Sequence, residues 1–119
     1  MKALFDTNIL IDYLAGRAGA DAEIARYSSR LISVVTWMEL LAGAGDEPEK
    51  DVIDLFLRDF RVIELTRGVA REAVEIRTTH RLRLPDAISW AAARSESALL
   101  VTRNTKAFPK DDPGVRVPY

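Results

Sequence analysis

Four short apolar runs recur along the 119-residue chain, at Ala3–Phe5, Leu31–Val35, Val62–Leu65 and Ala98–Val101. Each is bounded by polar residues and too short for a buried helix, so each reads as a strand covered on both faces. Between them the apolar spacing turns helical. Asn8–Leu14 is a brief helix, Ala20–Tyr27 a weaker one, and Thr36–Ala42 runs up to Gly43, a suitable helix stop. Glu49–Phe60 follows Pro48, which suits a first helical turn. Arg67–Thr79 repeats apolar residues at Val69, Ala73 and Ile76, and Pro85–Ser95 is rich in alanine. Val115–Val117 reads as an edge strand, the only place in a sheet where Pro118 is tolerated beside it. Strands alternating with helices imply parallel pairing through right-handed crossovers. The expected fold is a three-layer α/β/α sandwich around a central, mainly parallel sheet.

Length and composition narrow the picture without changing it. A chain of this size is expected to form one domain over residues 1–119 and to bury about two-thirds of its unfolded surface. With no cysteine, disulfides and thiolate metal sites are excluded. No apolar stretch approaches the ~18 residues of a membrane span, and Asp6 cuts the first run short. The expected location is the cytoplasm. Net charge is only −1, but it is unevenly spread. Residues 1–60 carry 6 basic and 11 acidic side chains, and residues 61–119 carry 11 and 7, so the halves stand at −5 and +4. Such asymmetry allows a basic surface beside an acidic site.

The acids fall in telling places. Asp6 ends the first strand, Glu39 lies on the helix after the second, and Asp86 opens the alanine-rich helix. Thr102-Arg103-Asn104 follow the strand Ala98–Val101. In open parallel sheets ligand groups collect at the carboxyl ends of the strands, where all of these map. Each residue also has a purely structural reading. Asp6 can cap a helix, and Asp86 can favour its helix through the macrodipole. Thr36 and Glu39 match a capping box, and Asn104 can cap a turn. Convergence has a cost, however. Two carboxylates ~5 Å apart repel by about 3 kcal/mol at an effective dielectric near 20. A divalent cation reverses that sign, and oxygen donors without cysteine suit Mg²⁺ or Mn²⁺ rather than zinc. Hydrolysis of a phosphodiester is the chemistry such a site favours.

The segments "FDTNIL", "SVVTWMELLAG", "LPDAISWAAA" and "LLVTRNTKAF" together resemble PIN-domain ribonucleases of the VapC toxin type, over essentially the whole chain and in order. The resemblance implies a PIN fold, a Mg²⁺- or Mn²⁺-dependent endoribonuclease acting as a toxin, a homodimer, and a neutralising VapB-like antitoxin. It places the acidic ligands on Asp6, Glu39 and Asp86, with Thr7, Thr102 and Asn104 as polar support in the catalytic site. Many members carry an acid where Asn104 or Ala107 stands. The neutral Asn104 therefore implies one metal ion rather than two.

Arg77, His80, Arg81 and Arg83 form a basic stretch without an acid, just before Asp86. With Arg103, the arginines are candidates for binding RNA phosphates. Val52, Ile53, Leu55, Phe56, Leu57 and Phe60 cover more than one face of their helix, which suggests a partner surface. Trp37 and Trp90 read as core or interface residues. Two other functions compete. A receiver-like phosphoacceptor domain requires an acidic pair after the first strand and an Asp at the end of the middle strand, where this chain has Thr66. A catalytically silent PIN-scaffold binding module would keep the fold without the chemistry.

Overall fold

A computed structural model describes residues 1–119. The elements run β1 (Lys2–Phe5), α1 (Thr7–Leu14), α2 (Ala20–Ala25), β2 (Ser29–Ser33), α3 (Val34–Ala42), α4 (Glu47–Leu57), β3 (Arg61–Ile63), α5 (Arg67–His80), α6 (Leu84–Ser95), β4 (Leu99–Val101) and β5 (Val115–Arg116). The strands lie in the order β3-β2-β1-β4-β5, and every pairing is parallel. The expected sandwich is therefore present, with β1 at its centre and the short β5 at one edge.

Alternation along the strands divides the core. Leu4, Leu31 and Leu100 point to one face, where they join Trp90, Ala91 and Phe108 under α5 and α6. Ala3, Phe5, Ile32 and Val101 point to the other, against Ile9, Leu10, Ile53 and Leu57 of α1 and α4. Full burial of a large apolar side chain stabilises by about 1.5–3 kcal/mol, so both faces contribute substantially. Helix α6 is buried from Ala87 through Ala93. Its alanines present little bulk, which lets an almost completely enclosed helix lie close to the sheet.

The connection from β2 to α3 corrects one expectation. The strand does not continue to Val35, and Thr36 does not start the helix. Ser33 is the cap: its backbone is extended and its Oγ accepts the Thr36 N–H at 3.2 Å. Serine satisfies a free helical N–H at this position more effectively than the β-branched valines favour a longer strand. Val34 and Val35 thus form the first turn, and Glu39 is released from the capping-box role. Helix α4 starts earlier than expected because Asp46 accepts the Glu49 N–H at 2.9 Å. It ends at Leu57, leaving the buried Phe60 in the approach to β3.

Candidate functional site

Asp6 is held where β1 becomes α1. It is 6% exposed and both carboxylate oxygens are engaged. Oδ1 accepts the Thr7 N–H at 2.9 Å; Oδ2 accepts Thr102 Oγ1 at 2.8 Å and Asn8 Nδ2 at 3.1 Å. Burial pushes its pKa up. The hydrogen bonds from Thr102 and Thr7 oppose the rise, while the charges of Asp86 and Glu39 add to it. The helix cap is real, but it leaves a buried anion facing two other anions.

Glu39 reaches the site from the second turn of α3. Its Oε1 accepts a hydrogen bond from Thr7 Oγ1 at 2.8 Å, so the residue after Asp6 orients the second acid. Asp86 comes from the first turn of α6, positioned by Pro85 and by the cap at Arg83. Its pKa is also raised, first by burial and further by Glu39, against the opposing charge of Arg83. The structure thus brings together the three acids singled out in the sequence, two from the starts of α1 and α6 and one from within α3.

The polar support divides. Thr102 is fully buried and donates to Asp6 while accepting the Asn104 N–H at 3.0 Å. Asn104 Oδ1 accepts the Ala107 N–H at 3.2 Å and so caps a turn, as its structural reading expects. Its amide still lines a cleft of about 260 Å³ with Asp86, His80, Arg81, Arg83 and Lys106. Arg81 and Arg83 therefore stand beside Asp86, as expected, whereas Arg77 is exposed on α5 outside that cleft. Lys106 was missed in the sequence because it lies in the loop between β4 and β5, whose path only tertiary packing sets. Arg103 differs most from its expected role. Its guanidinium grips the buried Asp12 at 2.5 and 2.9 Å, and its backbone N–H reaches Asn8.

The acids, the threonines and Asn104 offer oxygen and amide donors at this edge, the set suited to a hard divalent cation. As placed, no three His, Cys, Asp or Glu side chains form a group that could jointly hold a metal ion. Mg²⁺ commonly takes only one or two carboxylates and completes its shell with water and substrate phosphate. Burial raises both Asp6 and Asp86, the neighbouring acids add to it, and a bound cation would oppose both effects.

A second concavity, about 400 Å³, runs from Glu39 along Ile11, Leu14, Leu40 and Ile53, between α1, α3 and α4. Ile11, Met38, Val52 and Leu55 are each at least half exposed around it or on the same helices. Phe56 turns inward and stacks on Tyr13 at 4.9 Å. The excess apolar surface expected of α4 is therefore carried by Val52 and Leu55. Trp90 is core, as expected, and Trp37 is partly exposed.

The sequence profile of the PIN domain matches residues 3–111. A comparison with curated proteins gives no match. Among solved structures, a chain of a toxin–antitoxin complex from Klebsiella pneumoniae is 40% identical, with 98% of each chain covered and a TM-score of 0.91. FitAcB from Neisseria gonorrhoeae superimposes at a TM-score of 0.78 with 24% identity, over 98% of this chain and 97% of that one. VapBC2 from Rickettsia felis, solved bound to a promoter DNA fragment, gives 0.77 and 23%, over 97% and 96%. The last two share the fold. From the profile match over most of its length and the 40% identity to the Klebsiella chain, the protein belongs to the PIN-domain family.

Proposed function

We propose that the chain is a Mg²⁺- or Mn²⁺-dependent endoribonuclease, the toxin of a toxin–antitoxin pair that inhibits translation and growth by cutting RNA. The observation that carries this reading is the meeting of Asp6, Glu39 and Asp86 at the carboxyl ends of the strands, where burial raises both aspartates and the neighbouring acids raise Asp6 further. Asp6 and Asp86, with Glu39, would hold the cation. When bound, it supplies a water nucleophile at neutral pH and stabilises charge on the phosphodiester. Thr102 and Thr7 fix the Asp6 and Glu39 carboxylates. Arg81, Arg83 and Lys106 line the cleft beside Asp86, where they would seat RNA phosphates next to the acids. Asn104 adds no charge, consistent with one metal ion.

The apolar groove ending at Glu39 supports a VapB-like antitoxin as partner. A segment seated there would lie against the site it silences. A homodimer acting in the cytoplasm completes the reading. Purified protein should cut RNA with Mg²⁺ or Mn²⁺, stop in EDTA, and be inactive as Asp6→Asn. Cleavage that continues in EDTA would reject metal dependence. No cleavage of tRNA, rRNA or mRNA by folded, metal-loaded protein would leave the silent binding module as the better reading.

A further inference from the structure

Asp6 caps α1, Asp86 sits in the first turn of α6 and Glu39 lies on α3, and a line of hydroxyls links these helices. Ser89 Oγ lies 3.2 Å from Ser33 Oγ, Ser33 donates to Thr36 Oγ1 at 3.5 Å, Thr36 and Thr7 hydroxyls are 2.9 Å apart, and Thr7 donates to Glu39 at 2.8 Å. Ser33 and Thr36 are fully buried and Ser89 is 3% exposed. Two of these links can be drawn either way from the oxygen positions alone. Proton counting removes the ambiguity. A carboxylate only accepts, so the single Thr7 proton goes to Glu39 and Thr36 must donate to Thr7. The Thr36 proton is then used, so Ser33 donates to Thr36, and Ser89 donates to Ser33. Every proton in the line points toward Glu39.

The line also joins the three elements that carry the acids. Thr7 follows Asp6, Ser33 caps the helix of Glu39, and Ser89 lies one turn after Asp86. Buried hydroxyls are costly unless satisfied, and here each is satisfied by the next, so the line is sensitive to the relative placement of the three helices. We propose that Ser89, Ser33 and Thr36 are positioning residues: acting through Thr7, they set the orientation of Glu39 and its spacing from Asp6 and Asp86. The proposal rests on the reading of Glu39 as a cation ligand, and extends it to residues that touch no substrate.

Three variants test it: Thr36→Val, which keeps the branched shape and removes the hydroxyl; Thr36→Ser, which restores it; and Ser89→Ala at the far end. The first measurement is the Glu39 side-chain carboxyl ¹³C resonance in metal-free protein, which reads its surroundings independently of any ion. The second is Mn²⁺ affinity by paramagnetic resonance. Thr36→Val should move the Glu39 resonance and weaken Mn²⁺ binding by about tenfold, the effect typical of losing an outer partner of a metal ligand. Thr36→Ser should return both within about twofold of wild type, and Ser89→Ala should shift both in the same direction but less. A folded Thr36→Val protein with an unmoved Glu39 resonance and wild-type Mn²⁺ affinity overturns the proposal. If Thr36→Val does not fold, an unmoved resonance in Ser89→Ala overturns it. Wild-type protein that binds no Mn²⁺, with the resonance still moved by Thr36→Val, would instead reject the cation reading and retain the positioning line.

Discussion

Thr102 and Asp6 are 96 positions apart in sequence, yet the Thr102 hydroxyl donates to Asp6 Oδ2 at 2.8 Å in a buried setting. The neighbouring strands β4 and β1 end side by side, with Phe5 opposite Val101, so the next residues of each meet. One hydroxyl thus offsets part of the cost of an anion that the fold otherwise leaves crowded. Thr102→Val should destabilise by about 1–3 kcal/mol, because the Asp6 oxygen and the Asn104 N–H lose a partner together. Urea denaturation with an unchanged m-value would measure this.

Removing the charge of Asp6 should act in the opposite direction on stability. Burial raises the Asp6 carboxyl, so the folded chain holds that proton more tightly than the unfolded chain does. Its contribution to stability is greatest in acid and falls as pH rises from the ordinary carboxylate value to the raised one. Asp6→Asn should flatten this slope, raise the metal-free melting temperature at neutral pH, and reduce RNA cleavage by more than about 100-fold. A variant that melts lower than wild type at neutral pH would show that the helix cap, rather than repulsion, dominates at this position.

Glu39→Gln separates function from folding. Ser33 caps α3, so Glu39 is free of capping duty, and a glutamine oxygen still accepts from Thr7. Stability should stay within about 0.5 kcal/mol of wild type, as for surface changes, while cleavage and Mn²⁺ binding fall. Equal losses of melting temperature and activity would contradict the separation.

Arg103 should behave as a structural residue. It is paired with Asp12, whose pKa is lowered first by hydrogen bonds from Arg103 and, against the effect of burial, by the Tyr119 hydroxyl at 2.8 Å. That stability is present above the ordinary carboxylate pKa and is lost as pH falls through the lowered one. Arg103 is about one-third exposed, so Arg103→Ala should cost about 2 kcal/mol, below the range for fully buried pairs. RNA affinity of the folded variant, measured by filter binding, should remain close to wild type.

Arg81 sits in the left-handed region, with φ 57°, at the end of α5 and in the cleft beside Asp86. Glycine adopts that conformation without penalty, so Arg81→Gly should stabilise the fold by about 0.5–1 kcal/mol. The same change should weaken RNA binding and make the slope of log affinity against log salt shallower by about 0.7, the loss of one single-strand phosphate contact. Tighter RNA binding by the stabilised variant would remove Arg81 from the interface.

Much of this protein was determined by its sequence. Strand–helix alternation follows from apolar runs too short for buried helices, and it specified the parallel sandwich. Because side chains at the carboxyl ends of parallel strands share one edge, Asp6, Glu39 and Asp86 could be grouped before any coordinates. Local chemistry alone left α3 open: valines that favour a strand competed with a serine that caps a helix, and the cap prevailed once Ser33 was buried beside Ser89. The tertiary structure alone decided which polar side chains pair with one another. Arg103 could have faced RNA, but Asp12, buried on α1, offered a bidentate partner that solvent does not match. Lys106 and Ser89 joined the site through loop path and helix rotation, and the hydroxyl line from Ser89 to Glu39 exists only because α1, α3 and α6 pack within hydrogen-bond reach. Hydrophobic periodicity is written residue by residue along the chain. Partner choice among polar groups depends on distances of a few tenths of an ångström, which close packing sets and sequence spacing does not encode.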